Sequence, residues 1–261
     1  MKSPKHIYTK LTCMIAGAAP LAVALFCFPA AAYEEGDVAG GGSVKGKVTF
    51  SGPLPADAVE QITITKNPDV CGEGFREVVW VDVKDDALRG VFVFIEGIDK
   101  GKKWTAPKDG KYVIEQKGCR FRPWAQLIRP GSIVVRHSDP PSVLHNINTR
   151  EMIGVETGNI VKRTMFNFGQ PEPGDIEQEL KPRRSPFVSI NCEAHNFMFG
   201  FLMAPDHPYV EVVGEDGTFS LDGVPPGTHT VKAWHPRYGL KEVKLTVPQG
   251  GKVDANFVFS N

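Results

Sequence analysis

The sequence has no excess of charge of either sign, because 30 Lys and Arg residues balance 30 Asp and Glu residues. Without a basic surplus, binding to nucleic acid or to an anionic membrane has no electrostatic support. Beyond position 32 the sequence also lacks any segment of ten or more residues with a convincing helical period, so a helical fold is not expected. Disorder and a collagen-like structure are excluded as well, since 41% of the residues are hydrophobic and 16 are Phe.

The first 32 residues have the pattern of a secretory signal peptide. Three lysines within the first ten residues precede an apolar stretch over residues 11–28, and Ala30 and Ala32 fit the small-residue cleavage rule. We therefore expect cleavage after Ala32 and a periplasmic or secreted protein with no stable membrane insertion. The alternative is an uncleaved transmembrane anchor, but the apolar stretch is at the short limit for a span.

Removal of a signal peptide leaves an odd number of cysteines, namely Cys71, Cys119 and Cys192. An odd count in an oxidising compartment needs an explanation. One economical interpretation is a disulfide plus a single cysteine with another role. Whether Cys71 and Cys119 form that disulfide stays open, because pairing depends on a geometry that the sequence does not contain.

Short alternating or apolar runs separated by Gly and Pro turns predict an all-β fold, either a β-sandwich or a barrel. The runs cover residues 44–50, 79–83, 91–95, 112–116, 133–135, 188–190, 210–213, 228–233, 241–247 and 253–259. Residues 149–186 are polar and interrupted by proline, and we expect a long loop there with one candidate strand at 175–180.

The strand-rich regions before and after the central segment are each small for an independent core. We therefore expect these two β-modules to complete each other as a second sandwich, and strand pairing confined to each module would refute this. The predicted organisation is a signal peptide over 1–32, an N-terminal β-module over 33–109, a central domain over 110–209 and a C-terminal β-module over 210–261.

Four side chains of the central segment form a metal-ligand pattern. Cys192, His195 and Met198 are three residues apart, and His145 lies 47 residues earlier. A thiolate, two imidazoles and a thioether are the ligand set of a type 1 copper site. The spacing allows one loop to aim three ligands at a single point, while Asn146 is the natural neighbour to tie the two loops together. Zinc is the competing ion, although Met is a poor zinc ligand.

The central segment resembles the cupredoxins, the type 1 blue copper proteins, with a copper loop of the amicyanin type. The resemblance extends over about residues 110–213 and is carried by the four ligand residues, Asn146, Gly200, Phe121-x-Pro123, Pro130-Gly131-x-Ile133-Val134-Val135 and Ser138-Asp139. It implies a Greek-key β-sandwich and one copper ion held by those four ligands. The segment departs from the family pattern at His137, where Asn is usual, at Asn196, where Pro is common, and at Arg183-Arg184.

The C-terminal module resembles a different family. Residues 216–231 are similar to a carboxypeptidase regulatory-like, or transthyretin-like, β-module. That resemblance implies a fold and says little about activity.

The remaining histidines are expected to be structural: His137 in a strand, and His207, His229 and His235 in loops or at the surface. Met203 is a remote alternative axial ligand, because it lies five residues beyond Met198 on the departing strand. Phe197 and Phe199 belong either to the core or to an apolar docking surface beside His195.

The leading hypothesis from these residues is an exported one-electron carrier. The cupredoxin resemblance implies that His195 reaches the surface and passes the electron to a periplasmic redox protein such as a c-type cytochrome or a quinoprotein dehydrogenase. The alternatives are copper storage or delivery, and a metal-free binding module. We expect no enzyme activity, because copper oxidases need further histidine-rich sites and only His145 and His195 fall in a ligand pattern. Covalent haem is excluded because no C-x-x-C-H motif occurs.

Overall fold

The computed structural model describes residues 33–261, so the predicted signal peptide, with Cys13 and Cys27, lies outside the described residues. The strands are β1 (Glu34–Glu35), β2 (Gly42–Ser51), β3 (Val59–Thr63), β4 (Phe75–Val79), β5 (Val83–Lys84), β6 (Ala87–Leu88), β7 (Phe92–Ile95), β8 (Lys100–Gly101), β9 (Tyr112–Gln116), β10 (Phe121–Arg122), β11 (Ala125–Leu127), β12 (Gly131–His137), β13 (His145–Ile153), β14 (Val161–Gln170), β15 (Gly174–Leu180), β16 (Phe187–Asn191), β17 (Phe199–Met203), β18 (Val210–Val212), β19 (Thr218–Val224), β20 (Gly227–His235), β21 (Gly239–Val247), β22 (Lys252–Asp254) and β23 (Phe257–Ser260). A four-residue helix, α1 (Pro68–Cys71), and a 3-10 turn at Val155–Thr157 accompany them. Residues 33–261 contain no helix with the length and hydropathy that a transmembrane span needs.

The central sandwich is built from two sheets whose strands all lie between Tyr112 and Met203. One sheet has the order β10-β9-β12-β15, and the other has the order β11-β17-β16-β13-β14. In the first, β12 runs parallel to β9 and antiparallel to β15; in the second, β16 runs antiparallel to both β13 and β17. Side chains from both sheets share one buried core, which includes Ile114, Ile133, Val135, Ile147, Val188, Ile190 and Leu202. The predicted all-β sandwich is confirmed.

The N-terminal and C-terminal β-modules form a second sandwich together. β2 pairs with β19, β22 and β23, and β7 pairs with β18 and β20, so both sheets contain strands of both modules. Val44 and Val93 from one module share a buried core with Phe219, Val231 and Phe259 from the other. These pairings confirm that the modules complete each other, since each alone leaves its apolar strand faces uncovered.

The strand predicted over 253–259 is two strands, β22 and β23, and both pair with β2. Ala255 interrupts them and donates its backbone N–H to the Lys45 carbonyl at 2.8 Å. A Cβ on Gly46 would lie 1.8 Å from the Ala255 oxygen, so the approach of these two backbones requires glycine at position 46. The interruption allows the C-terminal segment to follow β2 along most of its length.

The long loop expected over residues 149–186 is wrong. β13 continues to Ile153, and β14 pairs with it in an antiparallel ladder from His145↔Gln170 to Ile153↔Val161. β14 lies at the edge of its sheet and most of its side chains are exposed, so apolar alternation is limited to Phe166 and Phe168 and is too short to predict the ten-residue strand. The candidate strand at 175–180 is confirmed as part of β15.

The two sandwiches contact each other through a third apolar cluster. Trp234 of the second sandwich is fully buried, and its ring lies 4.5 Å from that of Phe187 in the central sandwich. On another side, the β3–β4 hairpin and α1 reach the central core, where Cys71 and Val78 are buried. A disulfide between Cys71 and Cys119 fixes this contact, which settles the pairing that the sequence leaves open.

Candidate metal centre

The loop between β16 and β17 carries three of the four predicted ligands. It closes on itself, because Cys192 N donates to the Met198 carbonyl at 3.0 Å and Met198 N donates to the His195 carbonyl at 3.0 Å. These bonds turn Cys192 and His195 to the same side, with Cys192 Sγ 3.7 Å from His195 Nδ1. Cys192 is buried and is not in a disulfide, so its sulfur is free to act as a ligand.

His145 reaches the same point from the first residue of β13. β13 pairs with β16, and this places the start of β13 beside the end of β16, where Cys192 follows. Cys192 Sγ and one ring nitrogen each from His145 and His195 all lie within 4.8 Å of one another. Ligand atoms around a single ion with bonds of about 2.0–2.3 Å lie about 3.5 Å apart, so only a small adjustment would complete the arrangement. All three residues are buried.

A hydrogen bond to Asp139 orients the His145 ring. His145 Nε2 lies 2.7 Å from Asp139 Oδ2, and the carboxylate also accepts from Gly118 N at 2.6 Å and Cys119 N at 2.9 Å. A carboxylate is only an acceptor, so Nε2 carries the proton and Nδ1 keeps its lone pair. Nδ1 is buried and has no hydrogen-bond partner among residues 33–261. A buried imidazole nitrogen with a free lone pair is what a metal ligand requires.

Asn67 of the N-terminal module orients the His195 ring in the same way. The Asn67 amide donates from Nδ2 to the Ser142 carbonyl at 3.1 Å, and its Oδ1 therefore faces His195 Nε2 at 3.2 Å. Nε2 of His195 is then the protonated nitrogen, and Nδ1 presents its lone pair towards Cys192. Both histidines thus offer Nδ1 to the same space.

The surroundings keep both imidazoles neutral and the thiol protonated until a metal replaces the proton. Burial lowers the pKa of His195 to about 4, with a further decrease from the neighbouring His145. Burial also lowers the pKa of His145, although its hydrogen bond to Asp139 opposes the shift. Burial raises the pKa of the Cys192 thiol, and a coordinating thiol loses its proton to the metal.

Asn146 joins the two loops, as the sequence predicts. Its backbone N–H donates to Cys192 Sγ at 3.4 Å, and its side-chain Oδ1 accepts from Glu193 N at 3.0 Å. Its Nδ2 donates to Asn167 Oδ1 at 2.6 Å and to the Phe168 carbonyl at 3.2 Å. The sulfur position is therefore fixed from both the β13 side and the β14 side.

Met198 and Met203 lie in different cores. Met198 is 1% exposed and belongs to the same buried cluster as Cys192. Met203 lies at the end of β17 in the cluster between the two sandwiches. Met198 therefore remains the axial candidate, and Met203 lies on the departing strand, as its spacing predicts.

The structure confirms only part of what the sequence predicts for the other histidines. His137 is a buried residue of β12, as predicted, and its ring lies 4.8 Å from that of His145. His207 lies in the loop between β17 and β18, as predicted, although it is only 6% exposed. The prediction of a loop or surface position is wrong for the other two, because His229 is a partly buried residue of β20 and His235, the last residue of β20, is 0% exposed. His207 and His235 pack against aromatic rings, and His235 lies 5.2 Å from Tyr238.

The expectation that His195 reaches the surface is also wrong. Its ring is only 2% exposed, since Asn67 and the turn leading to α1 cover the edge that carries Nε2. The adjacent aromatic residues are covered as well: the Arg76 guanidinium lies 5.0 Å over the Phe197 ring, and Trp80 stacks on Phe199 at 4.2 Å. The N-terminal module thus caps the end of the central sandwich where the ligands lie.

Sequence reasoning missed Asp139 and Asn67 as orienting residues. Asp139 stands six residues before His145, and a carboxylate at that distance from a ligand histidine is a signal that the sequence contains. Asn67 is 128 residues from His195 in the chain, and no local pattern connects them.

The donor set fits a soft or borderline metal ion. One buried thiol and two neutral imidazoles with free Nδ1 atoms suit copper in both of its common oxidation states, and they also suit zinc. Two other groups of potential ligands at this end of the sandwich contain Cys71 or Cys119, which are joined in the disulfide. Within residues 33–261 the free cysteine thiol is therefore that of Cys192.

Comparison with known proteins adds little to these observations. No family model matches the chain, and no curated protein matches it significantly. One solved structure, a mutant of amicyanin in its reduced Cu(I) form at pH 4, aligns with 43% of this chain and 98% of its own. The two share 14% sequence identity with a TM-score of 0.25, which carries no argument. None of the comparisons supports the resemblance of the C-terminal module to carboxypeptidase regulatory-like domains. The assignment of the site consequently depends on its residues and their geometry.

Proposed function

We propose that the chain is a one-electron carrier with a single type 1 copper centre. His145, Cys192 and His195 are the equatorial ligands and Met198 is the weak axial ligand. The observation that carries the proposal is the convergence of one free thiol and two imidazole nitrogens within 4.8 Å. Copper bound there would exchange one electron between its +1 and +2 states.

The hydrogen bonds around the ligands support electron transfer over metal release. Asp139 holds His145, Asn67 holds His195, and Asn146 holds the Cys192 sulfur. A ligand set fixed in this way keeps one geometry in both oxidation states, so little rearrangement accompanies each transfer. A copper-delivery site needs ligands that are easily displaced, and these are buried and held from behind.

The partner and the compartment remain predictions. We propose a soluble redox protein as partner, with a c-type cytochrome or a quinoprotein dehydrogenase as the leading classes, and export to the periplasm or beyond. With His195 covered, its hydrogen bond to Asn67 is the direct connection from the ring to the protein surface, where Lys66 and Pro68 are exposed. We therefore place electron exchange next to Asn67. We also propose no catalytic activity, because His145 and His195 alone among the histidines fall in a ligand pattern.

The test is addition of Cu(II) to the purified protein. We expect an intense blue or green thiolate absorption that ascorbate bleaches, and Cys192→Ser should abolish it. His145→Asn should also abolish it, whereas the matched control His137→Asn, which changes a buried histidine 4.8 Å away, should retain it. Colourless binding of Cu(I) alone would support copper handling, and no binding would support a metal-free binding module. A coloured Cys192→Ser variant would overturn the ligand assignment.

A further inference from the structure

The disulfide lies directly against the candidate metal centre. Cys71 Sγ, Cys119 Sγ and a ring nitrogen of His195 all lie within 4.8 Å of one another, and all three residues are buried. Cys119 Sγ also lies within 4.8 Å of a carboxylate oxygen of Asp139 and a ring nitrogen of His145. Both sulfur atoms are thus beside the His195 imidazole, and that of Cys119 is also beside His145. They bind metals poorly in this form because they are bonded to each other.

A buried positive charge accompanies the disulfide. Arg76 is 8% exposed, and its guanidinium donates to the backbone carbonyls of Cys71, Gly118 and Cys119. Within residues 33–261, no carboxylate lies within ion-pairing distance of it. A buried cation held only by neutral carbonyls and the face of the Phe197 ring is unfavourable unless an anion comes close. Thiolates formed from Cys71 and Cys119 would supply that anion.

The disulfide can be approached from outside. A surface depression of about 620 Å³ is lined by Cys71, Gly72, Gly74, Arg76 and Arg120, among others. Gly72 and Gly74 follow α1 and add no side chains to the depression, although Glu73 and Phe75 also line it. A dithiol reductant that enters it therefore reaches Cys71 from outside the core of the sandwich.

We propose that reduction of Cys71–Cys119 creates a second soft-metal site, in which the two thiolates and a ring nitrogen of His195 bind Cu(I). A dithiol reductant supplies two electrons and two protons, the S–S bond breaks, and the reductant closes to its own disulfide. Binding of Cu(I) then releases the two thiol protons to water. Thiolates select Cu(I), and imidazole completes a three-ligand set.

The second site shares His195 with the first. A Cu(I) ion held by Cys71 and Cys119 would therefore be next to Cys192, and His195 could remain bound while the sulfur ligands exchange. Reoxidation of the disulfide removes two of the three ligands of the second site. This gives the chain a route for loading copper that depends on thiol redox state, in addition to the electron transfer proposed above.

The test uses the full chain with Cys192→Ser, because that variant lacks the sulfur of the first site. The protein is reduced with a dithiol, freed of reductant without air, and titrated with Cu(I) against a coloured Cu(I) chelator. We expect one equivalent of tightly bound Cu(I) in the reduced form and none in the oxidised form. A matched control that also carries Cys71→Ser and Cys119→Ser should bind none in either state. His195→Ala added to Cys192→Ser should weaken Cu(I) binding at least tenfold.

Equal Cu(I) uptake by the reduced and oxidised Cys192→Ser protein would overturn the proposal, and so would a disulfide that is reduced only on unfolding. If the variant fails to fold, the wild-type chain answers the same question. Because the two sites share His195, we expect one equivalent of Cu(I) in both forms, with binding at least tenfold tighter after reduction and no such change in a Cys71→Ser, Cys119→Ser chain. The result of this Cu(I) titration does not depend on whether the chain is an electron carrier. Absence of a blue Cu(II) colour in the wild-type chain would refute that function and leave the thiol-dependent uptake to be measured independently.

Discussion

Replacement of Asp139 by Asn tests how the structure prepares His145 for a metal. The carboxylate faces three donors, namely Gly118 N, Cys119 N and the Nε2–H of His145. Oδ1 accepts from Gly118 N, whereas Oδ2 accepts from both Cys119 N and the His145 ring. An amide of the same shape has one oxygen and one NH₂ group, so it cannot serve all three donors. We expect its oxygen to take the Oδ2 position, where it accepts from Cys119 N and His145, and its NH₂ group to face Gly118 N.

The consequence is a weaker hold on the His145 ring. Its Nε2–H then donates to a neutral amide oxygen instead of a carboxylate, and a hydrogen bond to a charged group is roughly twice as strong as a neutral one. Mutation of such an orienting partner lowers metal affinity by about 10–100-fold, which corresponds to about 1.4–2.8 kcal/mol. The protein should remain folded, because Cys119 N keeps an oxygen acceptor and only the Gly118 N–H loses its own.

The assay is a competition titration for Cu(II) with a chelator of known affinity, on Asp139→Asn and on the wild-type chain. Asp175→Asn is the matched control, since Asp175 is an exposed carboxylate paired with Arg136 and lies outside the ligand group. The control should bind copper as the wild type does. Wild-type affinity in a folded Asp139→Asn protein would refute the argument that the Asp139 carboxylate prepares His145 for a metal.

Three further predictions follow from buried side chains. Met198→Leu should keep the blue colour and raise the reduction potential, measured by voltammetry, by about 60–120 mV. That shift corresponds to a change of one to two factors of ten in the relative affinity for the two copper states. The control Met203→Leu should leave the potential unchanged. Glu151 is fully buried and accepts from three backbone N–H groups; burial raises its pKa, but bonds from Arg184 and its neighbours outweigh this and leave the pKa below its ordinary value. Glu151→Gln should therefore lower the unfolding free energy by about 3 kcal/mol at pH 7. Urea titrations should show this loss shrinking as the pH falls through the depressed pKa of Glu151, because protonation removes the same charge from the wild-type side chain. Trp234→Ala should lower the unfolding free energy by about 3–5 kcal/mol in a single transition; two separate transitions would contradict a joint core between the sandwiches.

Local spacing was sufficient to predict the loop of the candidate site. Cys192, His195 and Met198 follow one another at intervals of three between two apolar runs, and the backbone bonds that close the loop need no distant partner. The core strands of the sandwiches could be predicted in the same way, because alternating apolar residues such as Ile133 and Val135 lie on one buried face. These features depend on residues that are close in the chain.

Features that depend on distant contacts could not be predicted. Asn67 meets His195 across 128 residues, and this contact explains why the histidine is covered instead of exposed. β14 was not predicted because an edge strand with most of its side chains in solvent shows little apolar alternation. The burial of His235 comes from Tyr238 and Phe259, whose positions are set by the pairing of the two modules.

The most direct measurement of the central claim is X-ray absorption at the copper edge on the full chain loaded with one equivalent of copper. We predict one short sulfur neighbour and two imidazole nitrogens, with the sulfur signal lost in Cys192→Ser. A copper ion surrounded only by nitrogen and oxygen, or a sulfur signal that persists in that variant under oxidising conditions, would contradict the assignment of His145, Cys192 and His195 as its ligands.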